Sequence, residues 1–99
     1  MITIWHPYNK MMDVANIVAK YPNIPDYITK WRILSTADGK EGVKNYNILY
    51  IKDDKIVDAE IYLARLMQEF TDVIEGYNYK VEVVFSGSDL QKVQSVKLA

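Results

Sequence analysis

His6 is the only side chain of this protein whose ordinary pKa lies near neutrality, so acid–base chemistry at physiological pH has to start there. It stands at the end of a short apolar run immediately before Pro7, a position that opens on the space between a strand and the element after it. That makes His6 the candidate catalytic base, against the plainer reading of a histidine bonded to a backbone carbonyl at a strand end. Asn47 is the second candidate, because an amide on an apolar parity must find partners or cost roughly 1–3 kcal/mol, and a ligand can be that partner. Trp31 shares that parity. Tyr8 can add a phenol beside His6, although a tyrosine there also serves as a hydrophobic lid on the following helix. His6, Trp31, Asn47 and Tyr8 are thus the candidate ligand-binding residues.

The elements that position them follow from periodicity. Ile2 to His6 alternates as a strand, which Pro7 closes because proline cannot donate to a ladder. Asn9 is an expected N-cap, and Met11, Val14, Ala15, Val18 and Tyr21 then form one helical stripe that Pro22 and Pro25 stop. Ile28 to Thr36 reads as a strand and Ala37-Asp38-Gly39-Lys40 as a turn lengthened by Gly42. Val43 to Lys52 carries apolar residues on both parities, as a central strand does. Asp58 is the expected cap of a second helix, with Val57 stapled onto Tyr62 and a stripe of Ala59, Tyr62, Leu63, Leu66, Met67, Phe70, Val73 and Ile74. Gly76 follows as a left-handed cap. Tyr79 to Phe85 alternates as a last strand, and Ser88, Asp89, Leu90 and Val93 suit a short terminal helix after Gly87.

The order strand, helix, strand, strand, helix, strand is that of an α+β, ferredoxin-like βαββαβ unit, with both helices on one face of a four-stranded antiparallel sheet. The greasier parity of each strand is expected under the helices: Ile2, Ile4 and His6; Trp31 and Ile33; Asn47, Leu49 and Ile51; Val81, Val83 and Phe85. The other parity carries Thr3, Trp5, Lys30, Arg32, Leu34, Tyr46, Ile48, Tyr50, Lys80, Glu82 and Val84. Aromatics with arginine mark interfaces, so Trp5, Arg32, Tyr46 and Tyr50 are expected at a homodimer interface. Lys30, Arg32, Lys80 and Glu82 form either ion pairs or a small anion site between two sheets.

In size and element order the whole chain resembles the dimeric α/β-barrel superfamily, in which two such sheets pack face to face. His6-Pro7-Tyr8-Asn9-Lys10, Ile24-Pro25-Asp26-Tyr27, Gly42-Val43-Lys44-Asn45-Tyr46-Asn47 and Gly76-Tyr77-Asn78-Tyr79-Lys80 are also similar to a family of small uncharacterised archaeal proteins. The superfamily resemblance implies cofactor-independent oxygenases and related small enzymes, haem-binding or haem-degrading proteins, or ligand-sensing domains. An Asn, a Trp and a His line the pocket of the haem-degrading branch, although the histidine of this chain lies in the first strand, a different order.

Composition removes other classes. Ninety-nine residues make one domain, 1–99, and the absence of Cys excludes disulfides, thiol nucleophiles and zinc–thiolate sites. One His cannot form a multi-histidine metal centre, so neither metal nor cofactor is expected. Twelve Lys+Arg against 13 Asp+Glu give no field for nucleic acid. No window reads as a signal peptide or membrane span, which points to the cytoplasm. The expected function is a homodimeric module that binds a small ligand or a partner. The alternative is a cofactor-independent monooxygenase or isomerase, with His6 as base and Trp31 and Asn47 holding an aromatic or enol substrate. A regulatory sensor domain is a third reading.

Overall fold

The computed structural model describes residues 1–84 and residue 87. Its elements are β1 (Ile2–His6), α1 (Met11–Val18), β2 (Ile28–Ala37), β3 (Val43–Ile51), α2 (Ile56–Val73) and β4 (Asn78–Val81), with single 3-10 turns at Tyr8–Lys10, Gly39–Glu41 and Asp53–Lys55. The strands form one sheet in the order β2-β3-β1-β4, every neighbouring pair antiparallel. A four-stranded antiparallel sheet with two helices is an α+β arrangement compatible with a ferredoxin-like fold. β3 occupies the interior position that its two apolar parities predict.

Register fixes which residues share a face. Ile2 pairs with Asn47 and Asn47 with Ile33; Ile4 pairs with Asn45 and Asn45 with Ser35; His6 pairs with Val43. Partners opposite one another point to the same side, so these residues and, by alternation, Trp31 and Leu49 form the helix-facing floor. Ile2 and Ile4 cluster there with Ile17 of α1, with Leu63, Leu66, Met67 and Phe70 of α2, and with Ile74 and Tyr77. Both helices therefore cover one face, as the parity assignment requires.

Several boundaries differ from the sequence reading. Asn9 does not cap α1; it lies within the Tyr8–Lys10 turn, and α1 starts at Met11. α2 starts at Ile56, so Asp58 lies in its first turn, where it pairs with Lys55 at 3.7 Å and suits the positive helix end. Val57 is exposed and makes no staple, and Val73 is 64 % exposed although it belongs to the expected stripe, because the stripe leaves the core one residue early and resumes at Ile74. β4 ends at Val81, leaving Val83 and Val84 beyond the strand. Phe85 and the expected terminal helix around Ser88, Asp89, Leu90 and Val93 lie outside the described residues.

Gly42 is a packing requirement as well as a turn residue. Its φ of 104° is one that side chains resist, and a Cβ there would lie 2.3 Å from the His6 carbonyl oxygen. The β2–β3 hairpin can approach the end of β1, and hence His6, only through a glycine.

Candidate functional site

Between the floor and the helices the core is incompletely filled, leaving a cleft of about 410 Å³. The stripe expected to be core faces it: Met11, Val14, Ala15 and Val18 of α1, with Tyr21 after it, all line the cleft, while Ile17 is the buried α1 residue of the cluster and Val14 packs against it. Met67 and Phe70 form part of the wall without closing it. An apolar helix stripe is thus left largely exposed beside an open cleft.

His6, Trp31 and Asn47 all line this cleft. The Trp31 indole donates Nε1–H to Asn47 Oδ1 at 2.9 Å. An indole nitrogen only donates, so Oδ1 must face Trp31 and the amide orientation is fixed. The other end of the amide, Nδ2, is buried without a hydrogen-bond partner among the described residues, in a side chain only 3 % exposed. His6 is equally buried, with Nδ1 3.0 Å from the Pro7 carbonyl oxygen. That contact is the ordinary strand-end bond, and it also has a chemical consequence. A carbonyl only accepts, so in the neutral ring Nδ1 carries the hydrogen and Nε2 keeps its lone pair.

The His6 ring lies parallel to Tyr77 at 6.4 Å between centroids, and Tyr77 is stacked on Phe70 at 5.0 Å. The Tyr77 hydroxyl donates to the Met67 sulfur at 3.7 Å, and burial pushes its phenol well above the ordinary tyrosine range. Burial also pushes up the Tyr62 phenol, with a smaller contribution from Tyr27. Among the described residues lining the cleft there is no Asp, Glu, Lys or Arg.

Tyr8 is not brought to this group. It is 49 % exposed, donates to the Gly39 carbonyl at 2.9 Å, and belongs to a second, wider cleft of about 740 Å³ with Trp5, Lys40 and Asn78. The 3-10 turn after Pro7 directs it toward the hairpin, which no periodicity in the sequence signals. Conversely, the sequence reading misses Tyr77, Asn45 and Ser35. The last two are legible in retrospect, since each lies two residues from an assigned position on the same parity. Tyr77 sits in the connection after α2, where parity says nothing.

No described helix packs on the opposite sheet face, although Thr3 is buried there. Leu34 and Tyr50 are exposed, and Trp5, Tyr46 and Ile48 half-buried. Lys44, on the same face by its pairing with Trp5, stands over Trp5 at 5.5 Å and Tyr46 at 5.0 Å, and Lys30 stands over Tyr50 at 5.6 Å. Lys80 pairs with Glu82 at 3.7 Å. The carboxylate partners considered for Lys30 and Arg32 are not found among the described residues.

Among those residues no group of three or more His, Asp or Glu side chains could hold a metal, and no helix is long and apolar enough to cross a membrane. Comparison with protein-family models, with curated proteins and with solved structures finds no match, so the likenesses to the dimeric α/β barrels and to the small archaeal proteins gain no further support from it.

Proposed function

We propose that this chain is a cytoplasmic, homodimeric small-ligand-binding module built on a single ferredoxin-like domain. The ligand site is the cleft between sheet and helices, with Asn47 as its anchor and His6 and Trp31 beside it. The observation that carries this reading is the Asn47 Nδ2 donor, buried and without a partner among the described residues, on a side chain that lines an open apolar cleft. Left unpaired, such a donor costs the fold about 1–3 kcal/mol of desolvation, which a ligand's acceptor would offset. Titration of the labelled protein with para-ethylacetophenone, an apolar ketone, followed by NMR, tests it. Shifts centred on Ile4, Val14, Leu66 and Phe70 are expected; shifts confined to the outer sheet face, or none at millimolar ligand, refute it.

The dimer would bring two outer sheet faces together as a dimeric α/β barrel, through Trp5, Arg32, Tyr46 and Tyr50. Exposed aromatic and aliphatic side chains on that face support it. Lys30, Arg32, Lys44 and Lys80 against Glu82 oppose it electrostatically, so its formation depends on folding the cations down over their rings with the apolar stems buried.

One observation favours a catalytic second reading, an isomerase or cofactor-independent oxygenase. His6 keeps Nε2 free as a base while Asn47 offers a donor to a developing enolate oxygen. Exchange of the methyl protons of para-ethylacetophenone with deuterated solvent, lost in His6→Ala, is its expected signature; an exchange rate equal to buffer removes it.

A further inference from the structure

We infer that the ligand of this cleft is an uncharged molecule carrying two hydrogen-bond acceptors spaced along β3, one seated on Asn47 and the other on Asn45. This rests on the cleft being a ligand site, and it specifies the chemistry that site takes.

Asn45 and Asn47 lie two residues apart on the floor, and both line the cleft. Each amide oxygen is occupied by a residue of β2. Trp31 Nε1 donates to Asn47 Oδ1 at 2.9 Å, and Ser35 Oγ donates to Asn45 Oδ1 at 2.6 Å. What remains on each is the NH2 group, so the floor presents two donors in a row. Two strand residues span roughly 7 Å, the distance between acceptors at opposite ends of a short rigid body such as a benzene ring with para carbonyls. The two positions differ in depth. Asn47 is buried, whereas Asn45 is half-buried beside the exposed Ser35, at the mouth. The ligand therefore lies along β3 with one acceptor deep and the other near solvent.

The described lining argues against charge. It carries no Lys or Arg, so a carboxylate would exchange its hydration for neutral donors alone. Apolar contacts from Val14, Leu66, Met67 and Phe70 match a neutral hydrocarbon body instead. His6 in its neutral form offers an acceptor at Nε2, so it adds no donor that would call for a third acceptor.

Four probes of nearly one shape separate the contributions: para-diethylbenzene, para-ethylacetophenone, para-diacetylbenzene and para-ethylbenzoate. Dissociation constants by calorimetry are expected to fall about tenfold from the hydrocarbon to the monoketone, as the buried donor is satisfied. A further fall of about threefold to the diketone is expected, smaller because Asn45 is only half-buried and its amide is open to solvent. The benzoate should bind at least tenfold more weakly than the monoketone. Asn47→Leu should erase the first step and Asn45→Ala the second alone. If no probe binds, the ligand-cleft reading itself falls. If the hydrocarbon binds as tightly as both ketones, or the benzoate binds best, this inference is overturned while the cleft remains a ligand site. A diketone no tighter than the monoketone overturns the role of Asn45 and with it the two-acceptor ligand.

Discussion

Replacing Asn47 by Leu should make the ligand-free protein more stable, the opposite of what removing a buried polar residue with a good hydrogen bond usually does. Two opposing contributions set the magnitude. The substitution removes an amide donor that is buried without a partner, a relief of about 1–3 kcal/mol, and it removes the Trp31–Asn47 hydrogen bond, a loss of about 1 kcal/mol. Trp31 is only half-buried, so its freed indole can turn to water rather than remain an orphan. The larger Leu side chain meets the 410 Å³ cleft, not a packed wall, so overpacking contributes little. The net expectation is a stabilisation of about 1 kcal/mol, and the double variant Trp31→Phe/Asn47→Leu, which removes both halves of the pair, should gain slightly more. Urea unfolding monitored by circular dichroism, at one fixed protein concentration so that self-association cancels, reads this directly. In thermal unfolding it corresponds to a rise of roughly 4–8 °C for a domain of this size. A loss exceeding about 1 kcal/mol in both variants would show that Asn47 holds the fold together and that its donor is not an unmet capacity.

Gly42→Ala should cost about 2–4 kcal/mol, combining a strained φ with a Cβ 2.3 Å from the His6 carbonyl oxygen, whereas Gly39→Ala, with nothing within 4 Å, should cost about 1–2 kcal/mol; equal losses in chemical denaturation would contradict the close approach. Leu66→Ala should destabilise by about 2–3 kcal/mol, the low end for a core leucine because Leu66 borders an existing cleft, and a change under 0.5 kcal/mol would mean that it is not packed. Stability should decline as pH rises above the ordinary tyrosine value of 10.0: the unfolded chain then releases the Tyr77 proton that the folded state retains. The folded-state pKa is raised, so the stabilisation is complete below that pH and is lost above it, and Tyr77→Phe should flatten the urea midpoint between pH 9 and 11; an unchanged slope would refute it. Sedimentation should show the 11.5 kDa chain pairing more tightly as salt is raised, because screening relieves the like charges of Lys30, Arg32, Lys44 and Lys80; a monomer at every salt concentration would remove the dimer.

The sheet parities were legible because a strand's period is two and one face is greasy. That alone groups Ile2, Ile4, His6, Trp31, Ile33, Asn47 and Leu49 on a single floor, and the pairing of Ile2 with Asn47 and Asn47 with Ile33 agrees. Helix phase was less legible, because apolar periodicity does not say what covers the stripe. Met11, Val14, Ala15 and Val18 form a real stripe, yet it faces a cleft, and Ile17 reaches the core from beside it. Asn9 and Asp58 are sound capping residues chemically, but single 3-10 turns precede both helices and displace the starts. The meeting of His6, Trp31 and Asn47 at one cleft is legible as three polar-capable residues on an apolar parity. Tyr8 lines the other cleft because closeness in sequence to His6 does not survive the turn after Pro7, and the free donor of Asn47 is not legible without the Trp31 hydrogen bond that occupies its oxygen.

If the cleft is a ligand site, the Asn47 side-chain amide is its donor waiting for an acceptor. The most direct measurement is the nitrogen–proton correlation spectrum of that NH2 group with and without para-ethylacetophenone. Its Nδ2 protons should move downfield and become protected from solvent exchange on adding the ketone, and stay nearly unmoved with para-diethylbenzene. Ketone-induced shifts elsewhere in the cleft with the Asn47 amide unchanged would contradict it.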